Sequence, residues 1–146
     1  MAALSADRET SISVIGILPP LPVAASTIIY NGSIVAVFTA TAPSNQGGAT
    51  PAADAVNIRI IGMAIEQQDN SGGAFGAKEI NCIAPVAARF DAVETTYLAP
   101  GSMLYVVDDH TVGDAPGTNS IKAGVCLQRI SSTEVWIYID PAASYG

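Results

Sequence analysis

A chain of 146 residues, 49% of them apolar and only 13% charged, suits one domain with a sizeable core and a surface partly hidden in an assembly. Its net charge of −7, with six cations scattered singly (Arg8, Arg59, Lys78, Arg89, Lys122, Arg129), excludes a phosphate-tracking surface, so no nucleic-acid partner is expected. No apolar run reaches the roughly 18 residues of a membrane span, and MAALSADRETS lacks a basic-then-apolar leader, so neither membrane nor secretion is expected.

In chain order, Met1–Ala25 reads as an extended N-terminal arm. Met1–Ser13 is polar with a few apolar residues, and Pro19, Pro20 and Pro22 forbid a regular helix or a central strand. From residue 26 to 146 a single β domain is expected, because short Val-, Ile- and Tyr-rich runs alternate with Gly, Pro, Asn and Asp. The predicted strands are Thr27–Tyr30, Ser33–Thr39, Asn57–Glu66, Glu79–Ile83, Val86–Phe90, Met103–Val107, Ala123–Ile130 and Thr133–Ile139. Asn31-Gly32 marks a tight turn, and Ser131-Ser132 a hairpin between the last two strands. Ala42–Ala55, Gln68–Gly76 and Gly113–Ser120 read as loops. Along the last strand Val135, Ile137 and Ile139 fall on one face, Trp136 and Tyr138 on the other. Both faces are apolar, so the second is expected to pack on the core or on another subunit.

The chain also repeats itself. Gly32–Phe38 (GSIVAVF) matches Gly101–Val107 (GSMLYVV), Gly62–Glu66 matches Gly124–Gln128, and Glu79–Ile83 matches Glu134–Tyr138. The order is kept while the spacing shortens: 69 residues separate Gly32 from Gly101, 62 separate Gly62 from Gly124, and 55 separate Glu79 from Glu134. Two copies are too few for a solenoid. The expected fold is therefore all-β, a compact β-barrel or β-sandwich built from two similar β units with an extended N-terminal arm, closed so as to leave few strand edges.

Catalytic vocabulary is thin. The single histidine lies in Asp108-Asp109-His110, which offers carboxylate and imidazole ligands to a metal but also reads as a polar turn whose Asp side chains bind nearby backbone N–H groups. Asp69-Asn70-Ser71-Gly72-Gly73 lacks the acidic spacing of an EF-hand and the Gly-Lys-Ser/Thr of a phosphate loop, so it reads as a turn. No nucleophile elbow or dinucleotide fingerprint is present. No catalytic, cofactor or metal residues are expected, and the chain is not expected to be an enzyme. Cys82 and Cys126 lack CxxC spacing and read as small buried hydrophobes, a disulfide between them being the alternative.

Several of these stretches together resemble the head decoration, or capsid cement, proteins of tailed bacteriophages and prophages. They are Ala6-Asp7-Arg8, Pro22-Val23-Ala24-Ala25, Ile29-Tyr30-x-Gly32-x-x-Val35, Gly62–Gln67, Asp69–Ala74, Tyr105–Val112, Ala123-Gly124 and Val135-Trp136-Ile137. The turns holding Asp69, Asn70, Asp108 and Asp109 are the most specific pieces. The Gly/Ala-rich Ala42–Ala55 and SISVIGILPP depart from the pattern, so the arm is where the resemblance says least. The resemblance implies a non-enzymatic virion protein, made in the host cytoplasm, that binds the outer surface of the expanded icosahedral head and stabilises it across capsid subunit junctions. It implies the major capsid protein as partner, homotrimers or neighbouring copies as self-contacts, and an N-terminal segment reaching onto the capsid. Leu4, Asp7, Arg8, Ile12, Val14 and Ile15 are the expected capsid-contacting residues of that arm, with Trp136 and Tyr138 expected in subunit or core packing. The alternatives are another virion β module, tail- or spike-attached, and a metal- or glycan-binding β module.

Overall fold

The computed structural model describes residues 2–10, 12–14 (backbone alone), 16–39 and 46–141. Among them are the strands β1 (Ile12–Val14), β2 (Leu21–Pro22), β3 (Thr27–Ile29), β4 (Ile34–Phe38), β5 (Ala49–Pro51), β6 (Ile58–Ala64) and β7 (Gln68–Asn70). They continue with β8 (Glu79–Ile80), β9 (Cys82–Ile83), β10 (Val86–Val93), β11 (Met103–Asp108), β12 (Thr111–Gly113), β13 (Lys122–Ser131) and β14 (Glu134–Ile139). No helix among the described residues is long and apolar enough to cross a membrane.

The second half closes on itself. Strands follow the order β10-β12-β11-β13-β14, and β14 pairs back onto β10, giving a closed five-stranded barrel with no free edge inside the ring. Within this ring the parallel pair is β10 with β12, where Asp91 faces Thr111 and Ala92 faces Val112. The β13–β14 hairpin turns through Ser131–Glu134, as the polar break in the sequence predicts. Period-2 alternation sends Val135, Ile137 and Ile139 inward at 0% exposure and leaves Trp136 and Tyr138 half-buried on the outside.

The first half forms a half-barrel sheet, β5-β4-β6-β9. Its open side is spanned in short pieces: β2 pairs with β8, and single bridges join Val23 to Ala49 and Ile17 to Ile83. Residues 17–24, expected as the end of an arm, therefore lie within the first unit, with Val23 and Ala24 buried at 0% and 1% exposure. Strands β5 and β7 occupy stretches expected as loops. Ala49–Pro51 is held by β4, and Gln68–Asn70 by β3. The Asn31-Gly32 turn forms, but β3 and β4 do not pair across it.

The repeat in the sequence is a repeat in register. Val35 faces Gly62 as Leu104 faces Gly124, and both ladders then skip one residue, Ile61 and Ala123, before pairing resumes at Ile60 and Lys122. Ala64 faces Cys82 as Cys126 faces Ile137. Leu21 faces Ile80 as Phe90 faces Val135, and the parallel bridge Val23–Ala49 repeats as Ala92–Val112. Gly62 and Gly124 have one reason in common: a Cβ at either would strike the carbonyl oxygen of the facing strand, Ile83 or Tyr138. Each unit curls around its own interior instead of sharing one barrel with its partner.

Those interiors correspond residue by residue. The smaller core, Val23, Ile29, Val35, Ala49, Ala64, Ile80 and Cys82, is matched by Ala92, Leu98, Leu104, Val112, Cys126, Val135 and Ile137 in the larger one. Most first-unit members are smaller, and each missing buried methylene forgoes about 0.8 kcal/mol. The outer face of the first sheet, with Ile34, Ala36, Ile60 and Met63, is buried in the larger core shared with the second unit. Its counterparts Met103, Tyr105, Lys122 and Val125 are half-buried. Both cysteines are free and buried; burial pushes the Cys82 thiol up to about 12.

Candidate functional site

Two features of the surface stand apart from the packing. The first is the seam between the units, where β4 begins beside the β11–β12 turn and the Ile34 N–H donates to the Asp109 carbonyl at 2.7 Å. Residues 2–10 run across this seam as a strap. On the first-unit side, Arg8 N–H donates to the Asn31 carbonyl (2.8 Å), Asn31 N–H to Asp7 Oδ1 (3.2 Å) and Thr10 Oγ1 to the Gly32 carbonyl (2.7 Å). On the second-unit side, Leu4 N–H donates to Asp109 Oδ1 (2.9 Å), and Arg8 pairs with Asp91 at 2.9 Å.

His110 lies at the centre of the second-unit side. Its Nδ1 is 2.9 Å from Asp91 Oδ2, and its Nε2 is 2.8 Å from the Ala2 carbonyl oxygen and 3.5 Å from Asp108 Oδ1. Both ring nitrogens face oxygens, the arrangement an imidazolium satisfies by donating from each. Burial alone would lower its pKa; the Ala2 carbonyl, the Asp91 hydrogen bond and the charges of Asp108 and Asp109 outweigh that and raise it. Asp91 is held below the usual carboxylate range, since Arg8 and His110 outweigh its own burial. Asp109, at 1% exposure, is shifted the other way by burial despite the Leu4 N–H. The tight β11–β12 connection puts these groups together: Asp108 Oδ1 accepts the His110 N–H at 3.0 Å, the Asx-type bond expected from the sequence.

The second feature is a shallow depression of about 290 Å³ on the outside of the barrel, lined by Ala87, Leu127, Gln128 and Trp136. Leu127 is 48% exposed, and Ala87 also pairs with Val14 of β1. The N-terminal residues thus enter the second unit beside this apolar hollow.

The expected site residues divide accordingly. Leu4, Asp7 and Arg8 lie in the strap, fastened to the protein's own two units. Ile12 and Val14 lie in β1, which pairs with β10; their side chains, and Ile15 altogether, are outside the described residues. Asp108 and Asp109 meet the strap. Asp69 and Asn70 do not: they are far along the first unit, where Asp69 Oδ1 caps Ser71 N–H and buried Asn70 Nδ2 donates to the carbonyls of Val23, Ala24 and Ala74. Trp136 lines the hollow, and Tyr138 stands half-buried in the same outer row. Asp91 carried no signal in the sequence. Its role depends on the parallel β10–β12 pairing that sets it beside Thr111, a long-range pairing that no local pattern marks.

Comparison with protein-family models, curated proteins and solved structures returned no match.

Proposed function

We propose that this chain is a structural virion protein that binds the outer surface of an expanded phage head and holds neighbouring capsid subunits together. The observation that supports the reading best is the meeting of the N-terminal residues with the apolar hollow at Ala87, Leu127 and Trp136. A capsid-binding segment rooted there has apolar surface next to it. Several carboxylates, by contrast, are committed internally: Asp54 caps Thr118 and Asn119, Asp114 caps Thr95, Thr96 and Tyr97, and Glu94 pairs with Arg129. Seven large apolar side chains stand exposed among the described residues, Ile17 most of all at 85%. Such a surface holds by fit and apolar contact.

Holding is a mechanical task. A shell filled with DNA fails where subunits part, and a protein spanning that junction adds interface that must break first. A contact of about 800 Å² per partner, repeated around a junction, gains through effective concentration. An acidic surface suits the outside of a head better than its DNA-lined interior.

Co-sedimentation with heads stripped of their own decoration tests the reading. Saturable binding to expanded heads alone, at a copy number following the capsid lattice, is expected. A chain lacking residues 1–13 is expected to stay folded and bind more weakly. Equal binding by the truncated chain would remove the N-terminal segment from the interface. Binding to neither kind of head, with copies found on tails or spikes, would move the protein there.

A further inference from the structure

We infer that Asp108, Asp109 and His110, together with the Ala2 carbonyl, form a binding site for one first-row divalent cation, zinc foremost, at the seam between the two units. One oxygen of each aspartate and one nitrogen of His110 lie within 4.8 Å of one another. Asp108 Oδ2 and Asp109 Oδ2 are both buried and have no hydrogen-bond partner among the described residues. A buried carboxylate oxygen without a donor is costly, and two such oxygens in one cluster are what a cation relieves.

The spacing suits a metal. Bonds of ~2.0–2.2 Å at angles between octahedral and tetrahedral separate neighbouring ligand atoms by about 2.8–3.6 Å. His110 Nε2 lies 2.8 Å from the Ala2 oxygen and 3.5 Å from Asp108 Oδ1. The other ring nitrogen is already arranged: Nδ1 is 2.9 Å from Asp91 Oδ2, the carboxylate–imidazole pairing that orients metal-bound histidines. Arg8 grips the same carboxylate, 2.9 Å from Oδ2 and 3.5 Å from Oδ1, and stays out of the ligand set.

On binding, the imidazolium releases its Nε2 proton to solvent and the cation takes the proton's place. One imidazole with carboxylate oxygens favours zinc or a neighbouring transition ion over calcium, which prefers an all-oxygen shell. The Ala2 carbonyl belongs to the strap, while the other ligands belong to the β11–β12 turn. The cation would therefore fasten residues 2–10 to the second unit.

The test uses the whole chain, carrying no histidine tag, titrated with zinc sulfate, manganese chloride or calcium chloride. Calorimetry is expected to give one zinc per chain, with calcium at least tenfold weaker. Because the protein has a single histidine, its imidazole ¹⁵N resonances report the site without ambiguity. The Nε2 resonance is expected to shift on adding one equivalent of zinc, and protease cleavage within residues 2–10 to slow. Asp108→Asn with Asp109→Asn is expected to weaken zinc binding at least tenfold, and Asp91→Asn by 10- to 100-fold through loss of imidazole orientation. Imidazole resonances unmoved by stoichiometric zinc would overturn the proposal even if the variants failed to fold. So would zinc affinity unchanged in the double variant.

Discussion

Gly32 and Gly101 occupy the same place in two equivalent turns, with φ of +85° and +86°, yet their surroundings differ. In both turns the following serine hydroxyl donates back across the turn, Ser33 to the Tyr30 carbonyl and Ser102 to that of Ala99. A Cβ on Gly101 meets open space, whereas one on Gly32 strikes the Arg8 carbonyl and comes within 2.5 Å of Thr10 Oγ1 in the strap. Gly101→Ala thus bears only the left-handed backbone cost, about 1–2 kcal/mol. Gly32→Ala adds an overpacking cost of about 1–3 kcal/mol. Urea denaturation of the two variants should show the larger loss at residue 32; equal losses would mean that the strap gives way freely.

Among the elements, the loop after β10 is held by two carboxylates. Asp114, just beyond β12, accepts the N–H groups of Thr95, Thr96 and Tyr97, which outweigh its own burial and lower its pKa to about 2. Glu94 is lowered to about 2 by its bond to Arg129 of β13 and by the Leu98 N–H. Both folded values lie below the ordinary 3.8 and 4.5, so this stability is fully present above pH 4.5 and drains away as pH falls towards 2. Urea midpoints should therefore decline below about pH 5, after the gain that the raised His110 pKa brings as pH falls from 7, and Asp114→Asn should shrink that decline; a decline of undiminished size in the variant would assign it to other groups. Sequence patterning reached the long strands but not these clasps. Strands β4, β6, β11, β13 and β14 could be read because short runs rich in apolar residues fill them between turn residues. Gln68–Asn70 and Ala49–Pro51 are strands only because β3 and β4 supply partners, and their own polar or Gly/Ala/Pro character points to a loop. The Asp-Asp-His turn was visible, but its contact with Ala2 spans 108 residues and leaves no local trace.

In the whole molecule the two units close to different degrees. The second is a continuous ring with 6 paired positions between β10 and β14. The first closes through the two pairs of β2–β8 and isolated bridges, around a smaller set of side chains. Native-state hydrogen exchange should accordingly find the slowest amides in β13 and β14 and a lower opening free energy at β2, β8 and β9. Uniform protection across both halves would show that the shared core makes them one cooperative unit. The matching registers have a genetic consequence as well. Because loops differ while ladder partners coincide, recombination between the codons of Gly62 and Gly124 would join the start of β6 to the end of β13, with Val35 still facing a glycine and the skipped residue still in place. A lineage carrying this gene can lose a unit, or gain a third, with the ladder through that glycine keeping its register.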